Sequence, residues 1–122
     1  MTQQHWDPYD RNCPSRRVLD RIGDRWTVLV VGTLAPGPLR FGQLAQRIDG
    51  ISQKMLTQTL RSLERDGLVK RTLFPQVPPR VEYELTDAGH TLREPLKALE
   101  NWAISHMSGM MAARAEYDRL SQ

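Results

Sequence analysis

The stretch from Arg40 to Gly89, RFGQLAQRIDGISQKMLTQTLRSLERDGLVKRTLFPQVPPRVEYELTDAG, changes its apolar pattern at points marked by residues that constrain the backbone. Phe41, Leu44 and Ile48 give a short amphipathic helix its buried stripe. Asp49-Gly50 interrupts it, Gly50 being free to take a positive φ. Ser52 is a good N-cap for a second helix, because its hydroxyl can accept a backbone N–H of the first turn. Met55, Leu56, Leu60 and Leu63 mark the core side of that helix, and Asp66-Gly67-Leu68 closes it with a glycine and a following apolar residue. Val69 to Phe74 and Val81 to Leu85 then read as strands. Prolines in the connection Pro75-Gln76-Val77-Pro78-Pro79-Arg80 prevent ladder pairing at the tip and hold it extended. The order is helix, tight turn, helix, hairpin.

The rest of the chain is read as helices around this segment. Residues 1–12 show no periodicity and are expected to form a flexible arm, with a single domain over residues 13–122. Cys13-Pro14 opens a helix with Val18, Leu19 and Ile22 on one face; Gly23 ends it and Asp24 caps the next. Trp26, Leu29, Val30, Thr33 and Leu34 recur at helical spacing until Pro36-Gly37-Pro38 stops them. Thr86 caps a long last helix over about 87–118, whose Leu92, Leu96, Leu99, Ala103, His106 or Met107, and Met110 step close to a coiled-coil seam. Pro95 is expected to kink or restart it.

Composition bounds the function classes. At 122 residues the chain has one domain's worth of core, and 39% hydrophobic with 25% charged residues is globular usage. Its longest apolar run, around Val28 to Val31, falls far short of the ~20 residues a membrane span takes. Met1 to Asp10 carries no apolar signal core, and one cysteine, Cys13, excludes an intrachain disulfide. The expectation is a cytoplasmic protein without membrane contact. Net charge is only +3, but residues 36–80 hold eight cations (Arg40, Arg47, Lys54, Arg61, Arg65, Lys70, Arg71, Arg80) against Asp49, Glu64 and Asp66, so this window is +5 and the remainder −2. His5, His90 and His106 have no metal-ligand spacing, no glycine-rich phosphate loop is present, and no base is placed in sequence to activate a nucleophile. Neither an enzyme nor a cofactor or metal site is expected.

Basic charge on a helix-turn-helix with a hairpin behind it suits double-stranded DNA, with one helix in the major groove. With Leu56, Leu60 and Leu63 inward, the second helix presents Gln53, Lys54, Thr57, Gln58 and Arg61, and no outward acid before Glu64. Glutamine pairs with adenine edges, lysine with guanine, and threonine offers thymine a hydroxyl and a methyl. Ser52, Gln53, Lys54, Thr57 and Gln58 are therefore the expected base-edge or nearby phosphate contacts. The alternative is an ordinary solvated face; the turn before it and the hairpin after it favour recognition. Arg80 is read as a hairpin-tip arginine reaching a phosphate or the minor groove, in preference to a surface arginine paired with Glu82. Arg40, Arg61 and Arg71 complete the expected backbone contacts. The competing function is a protein–protein interaction module of the same shape that does not bind DNA.

With these blocks in order, the chain resembles the HxlR family of bacterial and archaeal winged helix-turn-helix transcription regulators, relatives of the MarR group. The resemblance covers about residues 13 to 107 and rests on Cys13-Pro14, Gly23-Asp24-Arg25-Trp26, Arg40-Phe41, Gly50-Ile51-Ser52, Met55-Leu56-Thr57, Leu63 to Val69 and Val77 to Thr86. Asp24 stands where a glycine is common and Phe74 where a tyrosine is. The resemblance implies a mainly α winged helix-turn-helix fold, with the helix-turn-helix at about 41–66 and a two- to three-stranded wing at about 69–86. It also implies a homodimer, built from the first and last helices, on a two-fold symmetric operator.

Cys13 carries two readings. Its place at a helix start with Arg11, Arg16 and Arg17 nearby gives two reasons for a lowered thiol pKa, and relatives in the family use a matching cysteine to sense oxidants or electrophiles. The other reading is a small, packed, inert residue before a proline.

Overall fold

The computed structural model describes residues 5–122; residues 1–4, the start of the expected arm, lie outside the described residues. Five helices and three strands follow one another as α1 (Pro14–Ile22), α2 (Arg25–Leu34), β1 (Leu39–Arg40), α3 (Phe41–Arg47), α4 (Gln53–Arg65), β2 (Val69–Phe74), β3 (Arg80–Leu85) and α5 (Asp87–Leu120). The strands form one antiparallel sheet in the order β1-β3-β2. β1 pairs Leu39 with Tyr83 and Arg40 with Glu82, closing the outer side of β3.

Every element except α1 contributes to one core: Val30, Val31 and Leu34 from α2, Leu39 from β1, Leu44 of α3 with Ile48 just beyond it, Leu56, Leu60 and Leu63 from α4, Val69, Leu85, and Leu96 from α5. The inward face of α2 is rotated from the one expected. Thr27, Val30, Val31 and Leu34 are buried, Trp26 and Thr33 are half-buried, and Leu29 is exposed. The helix is apolar almost all round, so spacing alone could not select the face. Thr59 is a second unanticipated core residue; its hydroxyl donates to the Met55 carbonyl at 2.8 Å, which satisfies it inside α4.

The element ends are fixed by local chemistry. Asp24 Oδ1 accepts from Trp26 N at 2.7 Å, and Ser52 Oγ from Met55 N at 3.0 Å. Gly50 turns the chain between α3 and α4 at φ +83°. Gly67, at φ +76°, ends α4 with Leu68 N donating to Leu63 O and Gly67 N to Glu64 O, the bond pair of a Schellman stop. Thr86 Oγ1 accepts from Gly89 N at 3.1 Å and donates to Gly67 O at 2.6 Å, tying the start of α5 to the end of α4. A side chain at Gly89 would place its Cβ 2.1 Å from Leu68 O, so only glycine lets α5 cross there.

Pro95 does not restart the last helix; α5 runs through it from Asp87 to Leu120. Pro95 and Thr91 are both exposed, so the carbonyl that loses its partner can turn to water. Only Gly89 and Leu96 of this helix are buried; beyond Leu96 its apolar side chains are exposed or, at Met110, half-buried.

Candidate nucleic-acid interface

The outer side of α4 carries what its wheel assigns to it. Gln53, Lys54, Gln58 and Arg61 are exposed and Thr57 is half-buried, and the five line one shallow surface. Ser52 is spent on its cap, so its hydroxyl belongs first to Met55 N. Among these residues the only charges are those of Lys54 and Arg61, and the helix N-terminus adds its partial positive charge at Gln53 and Lys54.

β2 continues this surface. Arg71, exposed and opposite Tyr83, shares a polar cleft with Thr57, Arg61 and Glu64 of α4. Arg61 and Arg71 are thus brought together, whereas Arg40 is not. Arg40 pairs in register with Glu82, one residue out of step with Tyr83, and so stands on the other face of the sheet. Its backbone N–H donates to Gln43 Oε1 at 2.9 Å as the N-cap of α3.

Arg80 departs from its expected place. It is the first residue of β3, paired with Phe74, and the tip consists of residues 75–79, with the Val77–Pro78 peptide cis. The Arg80 guanidinium lies 4.4 Å from the centre of the Phe74 ring. Its Nε sits 3.5 Å from Glu82 Oε2, close enough for an ion pair but without hydrogen-bond geometry. The aromatic face and the carboxylate together draw the side chain back onto the strand. No sequence signal distinguished this from a free tip arginine except Glu82 itself.

Cys13 is half-buried at the N-cap of α1. Its Sγ lies 3.1 Å from Ser15 Oγ and accepts the Asp7 N–H at 3.3 Å. These contacts hold the thiol pKa below its ordinary value, the Ser15 hydroxyl contributing most, then the backbone N–H groups of Asp7 and Ser15, with the Asp10 charge opposing. The neighbouring arginines are not the cause; Arg16, for one, donates to the Tyr9 carbonyl at 3.3 Å. The contact comes from a folded-back segment, where Asp7 Oδ1 accepts from Tyr9 N and Asp10 Oδ1 from Asn12 N. Among the described residues no cluster of His, Cys, Asp and Glu could hold a metal ion, and no helix is long and apolar enough to cross a membrane.

A helix-turn-helix with a polar second helix, followed by a three-stranded wing, defines the winged-helix class of transcriptional regulators. Residues 21–111 match the HxlR-like helix-turn-helix family, and the chain belongs to it. It is 42% identical over 108 residues to the HTH-type transcriptional regulator YtfH of Escherichia coli (strain K12), an overlap covering 88% of this chain and 86% of that one. Among solved structures it is similar to the transcriptional regulator ytfH from Salmonella typhimurium, with 38% identity, a TM-score of 0.85, and 91% and 99% of the two chains covered. It is also similar to the redox regulator HypR in its reduced form, with 36% identity, a TM-score of 0.74, and 81% and 98% covered. The chain is therefore a helix-turn-helix transcriptional regulator, and its relatives are regulators, not enzymes.

Proposed function

We propose that this regulator is a cytoplasmic, sequence-specific double-stranded DNA-binding protein that acts as a homodimer on a two-fold symmetric operator. The observation that carries the reading is the α4 surface: Gln53, Lys54, Thr57, Gln58 and Arg61 are contiguous, outward and free of acids. Gln53, Lys54, Thr57 and Gln58 meet base edges, with Ser52 N–H and hydroxyl beside the nearest phosphate. Arg61 and Arg71 hold one strand's backbone from the two sides of their cleft, and Arg40 reaches flanking phosphate from the start of α3. Arg80, drawn onto Phe74 and Glu82, shapes the wing and is left out of this set.

Dimerisation is supported by the unpartnered apolar faces. α1 buries no residue within the chain, leaving Val18 and Leu19 exposed, and α5 beyond Leu96 presents Leu99, Met107 and Met111. A second copy covering both faces removes from water what the single chain leaves in it. Cys13 sits at the start of α1, so oxidation or an electrophile adduct there alters an element of the proposed dimer. The lowered thiol pKa and the kinship with HypR support this role.

A footprint on DNA upstream of the coding region, run reduced and then oxidised, tests these parts together. The expected result is a symmetric protected site that is lost or altered on oxidation and unaffected by oxidant in Cys13→Ser. An absence of protection in both states refutes the DNA reading; identical oxidant responses in wild type and Cys13→Ser refute the sensor.

A further inference from the structure

The wing's two faces differ in chemistry because side chains alternate across a strand. Register pairs Val69 with Leu85, Arg71 with Tyr83 and Leu73 with Val81, so these six share one face. That face looks toward α4, since Val69 and Leu85 are buried in the core and Arg71 and Tyr83 line the cleft against Thr57, Arg61 and Glu64. The other face carries the pairs Lys70–Glu84, Thr72–Glu82 and Phe74–Arg80. There Lys70, Arg80 and, from β1, Arg40 stand among the acids Glu82 and Glu84, and Arg80 is held down on Phe74.

The α4-facing side therefore contains no acid from the wing and ends in hydrocarbon. Beyond Arg71 it offers Leu73, 56% exposed, across from Val81; past the strand pair, the tip of Pro75, Pro78 and Pro79 holds Val77, 100% exposed. No side chain packs over Val77, yet the face is continuous with the basic surface of α4 through Arg71 and Arg61.

We infer that the wing enters the minor groove beside the α4 site with an apolar edge, Leu73 and Val77, and that it does so without an inserted arginine. The inference rests on the proposed DNA binding and specifies how the wing takes part in it. Charge complementarity commits this edge to the duplex: Arg71 at its base meets the phosphates at the groove lip, while Glu82 and Glu84 face away. Past those phosphates an apolar tip meets sugar edges and the groove floor, where the guanine N2 amino group is the one added polar bulge. The edge thus disfavours G·C at the wing position, and its contribution to affinity is independent of counterion release.

The test begins with a duplex selected from a random-sequence pool by the wild-type chain, its affinity followed across a salt series. Leu73→Ser/Val77→Ser, both substitutions at exposed sites, is expected to bind about tenfold more weakly at every salt concentration, about 1.4 kcal/mol, with an unchanged slope of log K against log salt. Arg71→Ala is expected to flatten the slope by about 0.9 for each wing engaged. G·C in place of A·T at the wing position weakens wild type, and inosine·cytosine, which lacks the amino group, restores it. Should the double variant bind as wild type does, or lose affinity through a flattened slope, the apolar edge is refuted while DNA binding stands. If wild type selects no duplex at all, the DNA reading itself fails.

Discussion

Truncating the seam of α5 should separate the proposed dimer, and the structure sets how far. Leu99 is 53% and Met107 39% exposed in the isolated chain, and with Leu96 they lie along one stripe of the helix. Burying such a side chain completely is worth about 1.5–3 kcal/mol, so the parts left in water here hold about 1 kcal/mol each. Leu99→Ala/Met107→Ala forfeits most of both, and a two-fold interface counts each loss twice. The resulting penalty is about 3–4 kcal/mol per dimer, or a dissociation constant raised roughly 200- to 1,000-fold. Dilution series by sedimentation velocity on wild type and variant measure it, with circular dichroism checking that the monomer stays folded. Because neither side chain is in the core, the fold is expected to survive. A dissociation constant within about threefold of wild type places the interface elsewhere; the threshold is about 0.65 kcal/mol, below even one of the four forfeited contributions. A wild-type chain that is monomeric at all concentrations refutes the dimer outright.

Three further outcomes are expected. Gly89→Ala, whose Cβ would lie 2.1 Å from Leu68 O, should cost about 2 kcal/mol or more and lower the thermal midpoint accordingly; an unchanged midpoint shows that the α5 crossing is not as tight as described. Ser52→Ala removes the acceptor for Met55 N and should cost about 1 kcal/mol, measured by urea unfolding, with no change in slope against denaturant. Ser15→Ala removes the largest contribution lowering the Cys13 pKa, so the thiol pKa rises, the thiolate fraction at neutral pH falls, and alkylation by iodoacetamide slows. Its rate-against-pH curve should move to higher pH; a curve superimposable on wild type assigns the lowering to the backbone donors instead.

Where a single local interaction decides, sequence and structure agree closely. Ser52, Gly67 and Thr86 each terminate an element through bonds to backbone within a few residues, and α4 and the two wing strands sit between those signals. The exposed side of α4 follows from the same logic, since Leu56, Leu60 and Leu63 leave only one way for Gln53, Lys54 and Arg61 to point. Legibility ends where two partners compete. The inward face of α2 was decided by which of its several apolar sides α4 and α5 cover, not by its own spacing. Arg80 could reach outward or fold back, and Phe74 together with Glu82 settled it across the strand pair. The Cys13 environment depends on Asp7 returning to the sulfur, a contact for which the sequence between them gives no periodic sign. Pro95 does not restart α5, because a proline on the wet side of a long helix loses little there.

Base readout by α4 is measured by comparing substitutions in this helix on two DNAs. Affinities of wild type, Gln53→Ala, Thr57→Ala and Arg61→Ala are measured on the footprinted duplex and on a scrambled one across a salt series. Gln53→Ala and Thr57→Ala are expected to weaken the cognate site by about 1–3 kcal/mol while leaving scrambled DNA within experimental error, and Arg61→Ala to weaken both and flatten the salt dependence. Equal losses on both duplexes for all three variants would contradict base readout by this helix.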